Sequence, residues 1–297
     1  MSFSLPTASF DPPSPSAWDE HHLRKLRYGH TGASVALDRS EVHPRAAVLP
    51  HLLEHRSVRQ YSPEPLPEGT VERLVAAAQS AASSSNLQLW SVISIEDAEL
   101  RRLLSEAAGK QAHIRECPTF LVWIADLHRA ASLAQEHGLP SEALDYLEMF
   151  LMASVDAALA AQNAVVAAES LGLGTVYIGA LRNDPAHVAE VLALPSQTFA
   201  LFGLCVGYAA ADKSPAIKPR LPQSVVLHRD RYQYGAEQQL AIKGYDELMQ
   251  RFYSSQQMQN PAGGWSRHSA QRLATAAGLH GRHVLREVLA RLGFQLK

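Results

Sequence analysis

Arg56, Arg59, Lys218 and Arg220 are the side chains of this 297-residue sequence best placed for chemistry, because they cluster in two short motifs, HRSVR at 55–59 and KPRLP at 218–222. Forked guanidinium donors and an ammonium point charge suit a phosphate dianion, or a ring that gains negative charge on reduction. A third motif, SSSN at 83–86, adds hydroxyls and side chains small enough for a flat ring to approach the backbone. No carboxylate dyad, metal cluster or nucleophile triad competes with them in the sequence. His51 and His55 have the i, i+4 spacing of helical metal ligands but lack the Glu of HExxH and a third ligand, so no metal is expected.

Each motif also has a plainer reading. HRSVR could be a solvated basic patch at a helix C-terminus, SSSN a loop between helix and strand, and KPRLP a charged loop held by two prolines. Tyr61 and several prolines follow HRSVR at once, and Pro219 presets the backbone between Lys218 and Arg220. Both features favour a ligand site over idle surface.

The elements that must position these motifs are legible in the hydrophobic pattern. AAVLPHLLEHRS reads as a short helix ending near Ser57, and Val71, Leu74, Val75 and Ala78 mark a second helix over 67–82. Strands are predicted at 90–95, 119–125, 175–178 and 199–208, with helices at 97–109, 141–171 and 185–192. The 141–171 helix is alanine-rich and apolar on nearly all sides, which predicts burial all round, at a domain centre or a subunit interface. GLGTVYIG misses the GxGxxG spacing and follows a helix, so a dinucleotide-binding fold is rejected; Gly172 and Gly174 read as left-handed caps of the long helix. The mixed element order predicts an α+β sandwich with a central mixed sheet flanked by helices.

Three regions follow from composition: an N-terminal arm over 1–45 with a short helical possibility at 17–26, a main domain over 46–232, and a polar helical extension or lid over 233–297. The extension has a loop at 254–264, a final helix at 283–292 and too few large apolar residues for its own core. With 27 basic and 29 acidic residues, neither nucleic acid nor an anionic membrane is expected as a partner. Polar residues interrupt the most apolar stretch too often for a membrane span. The N-terminus does not read as a secretory signal, and Cys117 and Cys205 read as buried free thiols. A cytoplasmic setting is the expectation.

HRSVR, AASSSNLQLW with its Gln88 and following aromatic, GLGTVYIGALRN and KPRLP, in this order and spacing, resemble the FMN-dependent NAD(P)H nitroreductase and flavin reductase family, most closely its NADPH-dependent, oxygen-insensitive branch. The resemblance runs from about Leu53 to Tyr232, with an echo through Trp265. It implies an intertwined homodimer with FMN at two shared interfaces and ping-pong turnover. A nicotinamide nucleotide, NADPH or NADH, delivers hydride to the flavin, and a small aromatic acceptor (nitroaromatic, quinone or free flavin) takes two electrons. By the same resemblance Arg56 and Ser57 anchor the phosphate and ribityl chain, with His55 a further contact, and Arg59 stabilises charge on the reduced ring. Ser83, Ser84 and Ser85 bond the pyrimidine side or ribityl chain, and Gln111 reaches the flavin from the other subunit. Tyr177, Ile178, Gly179 and Leu181 line the ring through backbone groups, and Lys218 and Arg220 hold the phosphate. Ala180 departs from the Gly of some relatives. No protein side chain is expected to be catalytic in its own right. The alternatives are a non-catalytic FMN sensor or storage protein, or a flavin-consuming or dehalogenating relative. NADPH-specific members place arginines just before a Trp, whereas SSQQMQNPAGG before Trp265 has no basic residue, so comparable use of NADH is expected.

Overall fold

The computed structural model describes Tyr28 and residues 48–211, 215–259, 261 and 263–297. The expected arm, with its possible helix at 17–26, lies outside the described residues apart from Tyr28. The helices are α1 (Val48–Leu53), α2 (Thr70–Gln79), α3 (Ala98–Ala107), α4 (His113–Glu116), α5 (His128–Glu136) and α6 (Leu147–Ser170). They continue with α7 (Pro185–Val191), α8 (Gln223–Val226), α9 (Ala236–Ser255), α10 (Gly264–Leu273) and α11 (Leu285–Arg291). Four strands, β1 (Trp90–Ile95), β2 (Thr119–Asp126), β3 (Gly174–Ile178) and β4 (Thr198–Gly207), form one sheet in the order β1-β2-β4-β3.

Every neighbouring pair in this sheet is antiparallel, so the mixed sheet expected from the sequence is corrected to an antiparallel one. The one parallel feature among the described residues is a single bridge between Ser57 and Thr175 at the edge of β3. The segment does not continue along β3: by Tyr61 it already pairs antiparallel with Ala209, just past β4, which leaves Ser57–Thr175 as a lone parallel bridge. The same bridge explains why α1 stops at Leu53 and not near Ser57: Val58 N–H is drawn to the Thr175 carbonyl at 2.8 Å.

β2 lies between β1 and β4 and is buried at all its positions, which accounts for its unbroken apolar run. Its side chains alternate between two helical layers. Phe120 and Val122 join Ile114, Val176, Ile178 and Val188 on one face, while Leu121 and Trp123 join Leu74, Ala78 and the alanines of α6 on the other. The C-terminal tail returns to the core: Phe294 is buried and stacks edge-on to Phe150 with ring centres 5.2 Å apart.

α6 is buried through Ala153, Ala157, Ala160, Ala161, Ala164, Val165 and Ala168. Leu147, Leu151, Val155 and Leu159 recur every fourth residue on its other side and are exposed. Burial all round therefore holds for only half of this helix within one chain. By length and composition it could cross a membrane, but its alanine face is packed against sheet and α2, as in a core helix.

The two glycines after α6 have different jobs. Gly172 has φ 76° and ends the helix in the left-handed region, as predicted. Gly174 does not; it begins β3, and a Cβ there would lie 2.5 Å from Val58 Cγ2. The missing side chain is what lets the HRSVR segment lie against the sheet edge. Gly174→Ala should therefore destabilise the fold by about 1–3 kcal/mol through overpacking, read as a lower urea midpoint, whereas an unchanged midpoint would mean that Val58 moves aside freely.

Candidate functional site

Segment 57–62 is stitched to the ends of β3 and β4. Beyond the Ser57 bridge, Ser62 N–H donates to Tyr208 O at 2.9 Å and Ala210 N–H to Gln60 O at 3.0 Å. The Tyr61 hydroxyl donates to Val58 O at 2.8 Å and lies 3.3 Å from Cys205 O. Burial raises the Tyr61 phenol above its ordinary range, so it is a fixed donor rather than a titrating group. Arg59 is thereby held between two anchored neighbours while remaining exposed.

KPRLP is anchored from the opposite side. Tyr245 of α9 donates to Pro219 O at 3.1 Å and stacks edge-on to Trp265 of α10 at 5.1 Å, and Lys218 Nζ stands 5.5 Å above the Tyr253 ring. Asp246 of α9 caps α10 by accepting from Ser266 N–H at 2.7 Å and its hydroxyl at 2.5 Å. Lys218 and Arg220 edge a cavity of about 690 Å³ walled by Tyr245, Met249, Tyr253, Trp265 and His268, with Tyr28 also against it.

The two anchored segments bring like charges together. Burial, then Arg59, then Arg220 hold Lys218 below its ordinary pKa. Burial, then Arg59, against the pull of Glu116, likewise depress His113, whose buried Nε2 has no hydrogen-bond partner. Among the described residues neither Arg59 nor Arg220 has a carboxylate partner. A cationic cluster with an orphaned imidazole nitrogen beside it has the charge and the hydrogen-bonding capacity to receive an anion.

The other expected residues fall into separate groups. His55 Nδ1 lies 2.6 Å from Glu169 Oε1, and Arg56 lines a recess of about 120 Å³ with Glu54 and Glu169. Both therefore face the α6 side of the segment. Gln111 sits in the turn before α4, its carbonyl receiving the Ser105 hydroxyl at 2.9 Å, two residues from His113. Gln111 is thereby placed close in the chain to His113, on which Arg59 acts. Ile178 and Leu181 are buried in the core, so only their backbone groups can meet a ligand. Tyr177 is partly exposed and edge-on to Phe202, and Gly179 backs onto the Arg182 guanidinium.

Ser83, Ser84 and Ser85 stand apart. The Ser83 hydroxyl donates to Asp156 Oδ2 at 2.6 Å and accepts from Gln88 N–H at 2.9 Å, while Ser84 N–H donates to Asp156 Oδ1 at 3.1 Å. Ser85, Asn86 and Gln88 all have φ near 50°, a conformation held by this anchoring. Asp156 is buried in α6 and lies thirteen residues from Glu169, about 20 Å along the helix. The serine loop is thus remote from the cationic cluster of its own chain. Asp156 was legible only as an acid interrupting an apolar helix.

Two adjoining stretches of the sequence match the descriptions "Nitroreductase family" over residues 52–208 and "Nitroreductase family, C-terminal domain" over residues 218–297. The chain belongs to the nitroreductase family. Among its members, the NADPH-flavin oxidoreductase of Vibrio harveyi is 38% identical over 230 residues, covering 77% of this chain and 92% of that protein. The oxygen-insensitive NADPH nitroreductase of Salmonella typhimurium is 41% identical over 217 residues, covering 73% and 87%. The solved structure of the Vibrio harveyi NADPH:FMN oxidoreductase complexed with NAD+ superposes with a TM-score of 0.75 at 35% identity, covering 84% of this chain and 99% of that one. The anchored cationic cluster lies within this family fold.

His113 gives the site a pH signature. Its folded-state pKa is below the ordinary 6.5, so the unfolded chain binds a proton that the folded protein resists, and stability falls as pH drops through about 6.5 toward 5. His113→Gln should flatten that slope in urea midpoints measured across the interval. A slope identical to the parent protein's would assign it to other groups.

Proposed function

We propose that this chain is an FMN-dependent NAD(P)H oxidoreductase, reducing flavins, nitroaromatics or quinones by paired-electron transfer. The observation that carries the reading is that Lys218 and Arg220 edge one cavity with Arg59 near enough to act on Lys218, supported by family membership and by relatives named NADPH-flavin oxidoreductase, FMN reductase and NADPH nitroreductase. Bound FMN would supply the hydride chemistry. Lys218 and Arg220 bind its phosphate, with Ser57 beside them, and Arg56 and His55 support the segment from the α6 side. Arg59 offers a fixed positive charge to the pyrimidine edge of the ring. Gln111 and His113 offer hydrogen bonds from the same chain, and Tyr177, Ile178, Gly179 and Leu181 border the ring through main-chain groups. A storage or sensor role has no feature of its own to favour it.

We assign Ser83, Ser84 and Ser85 to the cofactor of a second copy. They lie about 20 Å along α6 from the cationic end, and Leu147, Leu151, Val155 and Leu159 form the kind of apolar stripe that a partner subunit covers. The unit would be a homodimer whose sites need both chains. Cys117 and Cys205, both unpaired, suit the reducing cytoplasm in which we place it.

The purified protein should be yellow, release FMN and not FAD on denaturation, and lose most of its flavin in Arg220→Ala, since a charge-assisted bond is worth about 1.5–3 kcal/mol. A colourless protein that cannot be reconstituted would refute the reading. Reduction of the flavin by NADPH or NADH in stopped flow would distinguish an enzyme from a passive binder.

For the dimer, Leu151→Glu combined with Val155→Glu should shift sedimentation to a monomer and release FMN together with the partner. Tight FMN binding by that monomer would exclude a shared site.

A further inference from the structure

A second group of cations gathers where the turn after β3 meets the C-terminal segment. Arg182, in the turn Gly179–Asn183, donates to the Leu201 carbonyl of β4. Arg282 Nε donates to Asn183 Oδ1 at 2.9 Å. Backbone contact is equally close, since a Cβ on Gly281 would meet the Asn183 carbonyl at 2.7 Å. Arg272 Nη1 lies 3.3 Å from His280 Nε2, just before that contact in the chain.

No acid balances this seam. Among the described residues none of the three arginines is in a salt bridge. The neighbouring Asp184 instead caps α7 by accepting from His187 N–H at 3.3 Å, and Glu190 faces His187. Burial lowers the proton affinity of Arg182 and Arg282, and each also feels another guanidinium, Arg282 on Arg182 and Arg272 on Arg282. Like charges drawn together without an acid are destabilising unless a ligand offsets them. The seam differs from the first cluster in its members: Arg59 and Arg220 act on Lys218, whereas Arg182 and Arg282 feel Arg282 and Arg272.

We propose that Arg182, Arg282 and Arg272, with His280 beside them, form a second anion site that accepts a phosphate monoester dianion. Guanidinium forks match tetrahedral oxyanions in geometry as well as in charge. Two sources share this chemistry: the 2′-phosphate of a donor nucleotide, and free phosphate. The first rests on the oxidoreductase reading and would give NADPH a cationic contact that the loop before Trp265 lacks; the second does not depend on that reading.

The test is calorimetric titration of the FMN-supplied full-length protein, whose first cluster is then occupied, with inorganic phosphate, adenosine 2′,5′-bisphosphate and adenosine 5′-monophosphate. Arg272→Gln is the main variant because Arg272 is exposed and its side-chain hydrogen bond, among the described residues, is to His280; Arg282→Lys keeps the charge without the fork. Saturable phosphate binding in the parent protein, weakened at least about tenfold in Arg272→Gln, is expected from loss of one charge-assisted contact. If the donor is the source, the bisphosphate binds more tightly than the monophosphate, and Arg272→Gln raises KM for NADPH while kcat and the KM for NADH stay put. If free phosphate is the source, the two nucleotides bind alike and the donor KM values do not change. No saturable binding of phosphate or bisphosphate, or binding unaltered in both variants, overturns the site even in a protein that holds FMN and oxidises NADH. Failure to hold FMN would refute the oxidoreductase reading instead, with the effect of Arg272→Gln on phosphate binding still reading the second site.

Discussion

Mutual repulsion among Arg59, Lys218 and Arg220 is the constraint on which the rest of the site depends. Two segments more than 150 residues apart in the chain must be held with their cations in range of one another, although burial and charge both resist it. Backbone pairing does this on one side, where the Ser57 and Tyr61 bridges tie HRSVR to β3 and β4. Aromatic packing does it on the other, where Tyr245 grips Pro219. Neither anchor uses an acid, and among the described residues neither Arg59 nor Arg220 is in a salt bridge, so their positive potential stays open to a ligand.

The anchors also explain why so little freedom is allowed nearby. Val58 can be buried only because Gly174 has no side chain, and Tyr61 reaches Val58 and Cys205 carbonyls only because the strand ends where it does. α6 passes beneath all of this and carries an acid toward each end of its buried stretch. Glu169 meets His55 and Thr175, and Asp156 meets the serine loop. One helix thus fixes two loops that lie about 20 Å apart along its length.

Much of this was legible in the sequence because the signals were local. β2 announced itself as an unbroken apolar run, α2 by its spacing, and the three motifs by charge and small residues. What escaped was set by partners distant in sequence. The sheet was expected to be mixed, but strand direction depends on which neighbours pair, and the HRSVR segment leaves β3 after one parallel bridge to pair with Ala209. α5 was missed because its face is only weakly apolar and none of its residues is fully buried. Gly174 looked like a cap beside Gly172, and only the approach of Val58 reveals its other purpose. Asp156 looked like an interruption until its two serine partners were in view.

Composition suggested a boundary between 232 and 233, yet the contacts argue for a functional unit that crosses it. Lys218 and Arg220 lie on one side of that line and Tyr245, Tyr253 and Trp265, which hold and wall them, lie on the other. Cutting there would leave KPRLP without the hydrogen bond that fixes Pro219, and two cations would be free to separate under their own repulsion. The polar character of 233–297 fits this arrangement: α9 and α10 use a few aromatic residues to grip the loop, and much of the rest of their surface is left to solvent. α9 and α10 therefore frame the KPRLP loop through Tyr245, Tyr253 and Trp265, while α11 and the tail give Leu289 and Phe294 to the core of the main domain.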